Sequence, residues 1–87
     1  MPIIFIPTPL RELTGGKASV AVSASSVREA IESLDAQFPG IKDRLCDEEK
    51  IRPNISVLVD GQVSHLKMRE KLKEDSEVHF VIAISGG

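Results

Sequence analysis

Glu77-Val78-His79-Phe80-Val81-Ile82-Ala83-Ile84-Ser85-Gly86-Gly87 is the stretch from which the fold is read. Val78, Phe80, Ile82 and Ile84 alternate with His79, Val81 and Ala83. That period of two predicts a strand over residues 77–84 with its larger side chains on one side. At the other end of the chain, Ile3-Ile4-Phe5-Ile6 is an unbroken β-branched and aromatic run closed by Pro7-Thr8-Pro9. Such a run predicts a strand buried on both faces. These two are the most apolar segments of the chain, so both belong in the middle of a sheet, side by side.

Between them the pattern changes period. Leu10–Lys17 reads as a loop with turn chemistry at Thr14-Gly15-Gly16-Lys17. Ala18–Val22 alternates and predicts a half-buried strand paired back on the first. Ser26-x-x-Glu29 fits a capping box, with the serine oxygen and the glutamate each taking an otherwise unpaired N–H. Val27, Ala30, Ile31, Leu34 and Phe38 then recur at helical spacing, and Pro39-Gly40 stops the helix. Ile41 and Leu45 are spaced for one further helical turn, and Cys46–Pro53 reads as a polar loop. Ile55–Val59 is a third strand, Asp60-Gly61 a hairpin turn and Gln62–Ser64 a short return strand. Asp75-Ser76 turns into the last strand. The order is strand, strand, helix, strand, strand, strand. One amphipathic helix covers one face of one sheet, so the expected class is α+β, a β-grasp with a mixed sheet of four to five strands and one main helix.

Composition bounds the function. Eighty-seven residues make one domain at most, expected over 1–87 with a flexible tail at 85–87. A chain of this size buries about 60–65% of the surface that it exposes when unfolded. That allows one small aliphatic core, drawing on Val27, Ile31, Leu34, Val57, Phe80 and Ile82, and leaves little room for a deep pocket with a full catalytic set. The expectation is a protein handled by enzymes and not itself an enzyme. The longest apolar run, Phe80–Ile84, falls far short of the ~20 residues that span a bilayer, and the N-terminus lacks the basic region of a signal peptide. A single cysteine, Cys46, points to a reduced, cytoplasmic setting. With 11 Lys+Arg against 13 Asp+Glu and no basic stripe, neither nucleic acid nor a membrane is an expected partner.

Most signals of chemistry fail. Gly16-Lys17 lacks the flanking residues of a phosphate loop. Cys46, His65 and His79 have no metal-ligand spacing, so no metal is expected. Nothing marks Cys46 as a low-pKa nucleophile. His79 reads as a surface residue, and Arg11 and Lys17 as solvated loop residues. What is left is the end of the chain. Two glycines after an apolar strand make a peptide thin enough to thread into another protein's active site, with a carboxylate at its tip. A carboxylate becomes reactive only when activated, and adenylation by ATP is one means.

The chain resembles the MoaD/ThiS family of ubiquitin-like sulfur carriers. The resemblance rests on Ile4–Ile6 followed by Leu10-Arg11-Glu12-Leu13-Thr14-Gly15, the helix Val27–Phe38, Ile55–Val59 with Asp60-Gly61, Leu72 before Asp75-Ser76-Glu77-Val78, and Gly86-Gly87. Ile6-Pro7-Thr8-Pro9-Leu10-Arg11, Thr14-Gly15-Gly16, Phe38-Pro39-Gly40-Ile41, Arg44-Leu45 and the long segment before Ile55 look most like the CysO-type branch, whose carriers deliver sulfur for cysteine synthesis. The Phe-Ala-x-x-Arg stretch usual in molybdopterin-synthase small subunits is absent.

The resemblance implies that Gly87 is adenylated on a ubiquitin-activating-type enzyme using ATP and magnesium, then converted to a thiocarboxylate, with Ser85 and Gly86 as spacer. The chain itself would bind no cofactor. It implies a sulfur-accepting synthase, for the CysO branch a pyridoxal-phosphate enzyme, and a metal-dependent deubiquitinase-like protease to release the product. A molybdopterin-synthase subunit and a lysine-linked protein modifier share the same first step and stay open. Leu58, Val81 and Ala83 fall on the sheet face that the single helix leaves bare, and are the expected partner-binding patch.

Overall fold

The computed structural model describes residues 1–83. The chain begins with β1 (Ile3–Phe5), a 3-10 helix over Thr8–Thr14, and β2 (Ser19–Ala21). Helices α1 (Val27–Gln37) and α2 (Ile41–Leu45) follow, then a small hairpin of β3 (Cys46–Asp47) and β4 (Lys50–Ile51). β5 (Ile55–Val59), β6 (Gln62–Val63), a 3-10 turn at Lys67–Arg69 and β7 (Glu77–Ile82) complete it. The main sheet has five strands in the order β2-β1-β7-β5-β6. The first and last strands are neighbours and parallel, with Ile3, Ile4 and Phe5 opposite Glu77, Val78 and His79. β2 and β5 flank this pair antiparallel. This is the ubiquitin-like β-grasp that the two apolar ends of the sequence predict.

The helix sits where the periodicity puts it. Val27, Ala30, Ile31 and Leu34 are fully buried, facing Ile4, Val57 and Val78 from the three central strands. Burying each Val, Leu or Ile side chain stabilises the fold by about 1.5–3 kcal/mol, which makes this interface the main source of stability. Phe38 is half-buried at its margin, and α2 adds Ile41 and Leu45.

Several local expectations are corrected. β1 is buried on one face only: Ile4 and Ile6 point into the core, while Ile3 is 38% exposed and Phe5 half-buried. A continuous apolar run does not itself distinguish a doubly covered strand from one whose outer face serves another purpose. Residues 10–17 are not a plain loop. Pro7 stands at the N-cap of the 3-10 helix Thr8–Thr14, which buries Leu10 and Thr14, and the Thr14 hydroxyl lies 3.0 and 2.9 Å from the carbonyl oxygens of Arg11 and Lys17. Arg11 is half-buried, and its Nε donates to the Ile6 carbonyl at 3.0 Å, so it braces the exit from β1. Lys17 lies 6.0 Å from the Phe38 ring centroid.

The capping box is split over two serines. Ser26 Oγ accepts from the Glu29 N–H, but the Glu29 carboxylate reaches past Ser26 to the N–H and hydroxyl of Ser25, both at 2.8 Å. Cys46–Pro53 contains the β3–β4 hairpin, pinned by buried Cys46 and Ile51, with Glu48 and Glu49 at positive φ in its turn. A two-glutamate turn carries no compositional signal, because glycine or asparagine is the usual occupant. The predicted Asp60-Gly61 turn has φ 52 and 83, and Asp60 Oδ1 accepts the Glu77 N–H at 2.9 Å, tying the turn to the start of β7.

Candidate functional site

The helices cover one face of the sheet, and the other lies open. Register decides which residues meet there. Phe5 is opposite Ser19 on β2 and His79 on β7; His79 is opposite Leu58 on β5; Leu58 is opposite Val63 on β6. Ser19, Phe5, His79, Leu58 and Val63 therefore form one row across all five strands. At a strand spacing of about 4.8 Å the row runs roughly 19 Å. Phe5 and His79 stack at 4.2 Å with their rings 4° apart. Val63 is 58% and Val81 51% exposed, so this face presents apolar side chains to solvent among polar ones, with Ser56 opposite Val81 and Glu77 opposite Ile3.

The structure thus brings together two of the three residues expected in a partner patch, Leu58 and Val81, on one face. Ala83, exposed just past β7, continues the same alternation. Phe5, His79, Val63 and Ile3 belong to this surface and were not expected in it. The alternation within Ile3–Ile6 carried the signal for two of them, but reading that run as buried on both faces hid it. His79 needed the β1–β7 register: its environment is a phenylalanine ring on the adjacent strand.

β7 leads from this face toward the C-terminus. The Ala83 N–H donates to the Asn54 carbonyl at 2.7 Å, so pairing with the β5 side continues one residue beyond the strand. Beside this point, Pro9, Arg44, Arg52, Asn54 and Ile82 line a cleft. Arg52 is held in place by donating Nη2 to the Asp43 carbonyl at 2.7 Å. Ser85, Gly86 and Gly87 lie outside the described residues.

Nothing else in the described chain gathers reactive groups. Cys46 is buried, and that burial pushes its thiol pKa up, away from the thiolate that would react. Among the described residues no three His, Cys, Asp or Glu side chains are grouped to hold a metal ion. None of the described helices is long and apolar enough to cross a membrane.

Both the sequence and the fold have known relatives. The ThiS family profile matches residues 4–87. The sulfur carrier protein CysO of Mycobacterium tuberculosis is 28% identical over 89 residues, covering 97% of this chain and 96% of the relative. Among solved structures, a chain of the Amycolatopsis orientalis BexX/CysO complex superposes with a TM-score of 0.93 at 31% identity, covering 100% of both chains. Crystalline CysO of M. tuberculosis superposes with a TM-score of 0.89 at 26% identity, covering 97% of this chain and 100% of that one. SAMP1 from Haloferax volcanii, at 22% identity and a TM-score of 0.81, shares the fold over 99% of this chain and 98% of its own. With the profile matching from β1 to the terminal glycines, the chain belongs to the ThiS family.

Proposed function

We propose that this protein is a sulfur carrier whose reacting group is the carboxylate of Gly87. The observation that carries the reading is the family match through residue 87, together with full-length likeness to proteins named as sulfur carriers. The single small core fits a co-substrate of partner enzymes.

The chemistry runs in two steps on a ubiquitin-activating-type partner, which supplies ATP and magnesium. A Gly87 carboxylate oxygen attacks the α-phosphorus of ATP, and pyrophosphate leaves. Sulfide then attacks the acyl carbon of the adenylate and expels AMP, leaving a thiocarboxylate. With a persulfide as donor, an acyl disulfide forms first, and a thiol reductant cleaves it to the same product. Ser85 and Gly86 act as spacer between the folded body and the reacting atom. The open face with Leu58, Val81 and Ala83 is the surface by which the activating enzyme holds the body, and Arg44 and Arg52 flank the point where the tail leaves it.

The likeness to CysO over the whole chain supports an acceptor in the synthesis of cysteine or a related amino acid. The thiocarboxylate sulfur would add to an aminoacrylate held on a pyridoxal-phosphate enzyme, and an S-to-N acyl shift would leave the new amino acid on Gly87 in peptide linkage. A metal-dependent deubiquitinase-like protease cutting after Gly87 would release it.

Mass spectrometry of the intact chain tests the reading. With the activating enzyme, ATP and sulfide, one oxygen should be exchanged for one sulfur at the C-terminus. With an activated serine or homoserine derivative and the synthase, a transient gain of one cysteine-type residue should follow. A chain that stays unmodified under the first conditions overturns the carrier reading. A thiocarboxylate that ignores amino-acid acceptors but converts the molybdopterin precursor with a large subunit moves the assignment to molybdenum cofactor synthesis, and ladders of lysine conjugates in cells move it to a protein modifier.

A further inference from the structure

On the helix-covered side of the sheet, α1, the β3–β4 hairpin and the 3-10 turn at Lys67–Arg69 enclose a groove of about 360 Å³. Its floor is apolar. Ile51 and Met68 sit at the edge of the core, and Leu66 on the rim is 48% exposed. Its walls are basic: Arg28, Lys50, Lys67 and Arg69 face a single acid, Glu49. That acid is already engaged. Lys42 Nζ lies 3.0 Å from its carboxylate and Arg28 3.3 Å away. Among the described residues, Lys50, Lys67 and Arg69 form no ion pair. A chain with net charge −2 thus gathers an unbalanced positive cluster around an apolar floor.

The backbone here is unusual as well. Lys67 and Glu49 both line the groove and hold φ at 51° and 65°, in the left-handed region that disfavours L side chains. Asp60-Gly61, by contrast, puts a glycine at its second positive-φ position. Backbone strain of this kind clusters at binding sites.

We propose that this groove docks an acidic peptide segment of a partner protein. One aliphatic or aromatic side chain of the segment would rest on Ile51, Leu66 and Met68, and flanking carboxylates would pair with Lys50, Lys67 and Arg69. The apolar floor and the absence of an aromatic ring among its lining residues favour a peptide over nucleic acid, which takes a basic track with stacking platforms. The proposal goes beyond the carrier reading and uses neither Gly87 nor the open sheet face. A partner bound here would leave that face free.

Fluorescence anisotropy with the full-length chain tests it, with no activating enzyme present. The probe is a labelled synthetic peptide with one leucine flanked on both sides by Asp and Glu. Companion peptides replace the leucine with serine, or the acids with lysines. The acidic leucine peptide should bind, and each companion should bind about tenfold more weakly or worse. The K50E/R69E double variant should weaken the first peptide by about tenfold, and added salt should weaken it further. Leu66→Ala, at an exposed position that does not threaten the fold, should weaken it by about fivefold. Amide shifts on titration should centre on Leu66–Arg69 and Lys50–Ile51. Absence of binding, indifference to these substitutions, shifts centred on Phe5, His79 and Val81, or tighter binding of a single-stranded oligonucleotide at the same residues would each overturn the proposal.

Discussion

Val81 and Ile31 show how position decides what a side chain is for. Val81 is 51% exposed on the open face, whereas Ile31 is fully buried under the sheet. Val81→Asp should leave the thermal midpoint nearly unchanged, since substitutions at exposed positions stay within about 0.5 kcal/mol. If the open face is the docking surface proposed above, the same change should weaken binding to the activating enzyme by about tenfold or more, because it places a carboxylate where water must be lost. Titration calorimetry and a melting curve on one sample check both halves. Ile31→Ala should do the reverse, costing about 2–5 kcal/mol in chemical denaturation while leaving the surface chemistry intact. Gly87 is a third case. On the proposed carrier reading, a residue added after it should abolish formation of the acyl-adenylate, read as pyrophosphate release, with no change in the melting curve.

At the scale of the element, the N-terminus of α1 is closed from two directions. Ser26→Ala removes the oxygen that accepts the Glu29 N–H and should destabilise the protein by about 1 kcal/mol. Glu29 carries a pH dependence. The Ser25 N–H and then the Ser25 hydroxyl hold its carboxyl below the ordinary value of 4.5. A carboxylate with a depressed folded pKa stabilises the fold fully above its unfolded value and loses that contribution as pH falls through the folded one. The melting curves of wild type and Glu29→Gln should therefore differ at neutral pH and draw together below about pH 4.5. A gap that persisted unchanged into acid would show that the Glu29 charge is irrelevant to the cap.

Elements with a strong period were legible in the sequence, and those held by a few tertiary contacts were not. The helix at Val27–Gln37 announces itself by Val27, Ala30, Ile31 and Leu34 at helical spacing, with Phe38 continuing the stripe at its C-cap. The 3-10 helix at Thr8–Thr14 has Pro7 at its N-cap and Pro9 in its first turn, which read as turn signals, and it depends on Leu10 and Thr14 finding the core. The β3–β4 hairpin is two residues per strand, too short for any alternation to register. The open face was legible in part. Leu58 and Val81 follow from alternation within their own strands. Phe5, His79 and Val63 become neighbours only once strand order and register are known, and these depend on the whole chain.

For the whole molecule, the sheet order makes the chain's two ends mutually dependent. β1 cannot join the centre of the sheet until β7 is present to pair with it, and β7 also carries β5. Hydrogen exchange should show the slowest amides in β1, β5 and β7, at protection approaching the global stability, with β6 and the β3–β4 hairpin exchanging by local opening. A chain ending before Glu77 should fail to fold, because β1 and β5 then lose the strand they both pair with. Comparable protection in β6 and β7 would contradict this ordering.

The parallel pairing of β1 and β7 also has a mechanical consequence. A pull applied to the N-terminal end of β1 and the C-terminal end of β7 draws the two strands past each other along their length. The bonds between Ile3–Phe5 and Glu77–His79 are then loaded together in shear, so they must rupture as a group instead of unzipping one by one. The body should therefore resist traction on its own tail, and an optical trap gripping the two termini should record one abrupt rupture at a force well above that needed to peel β6 from β5.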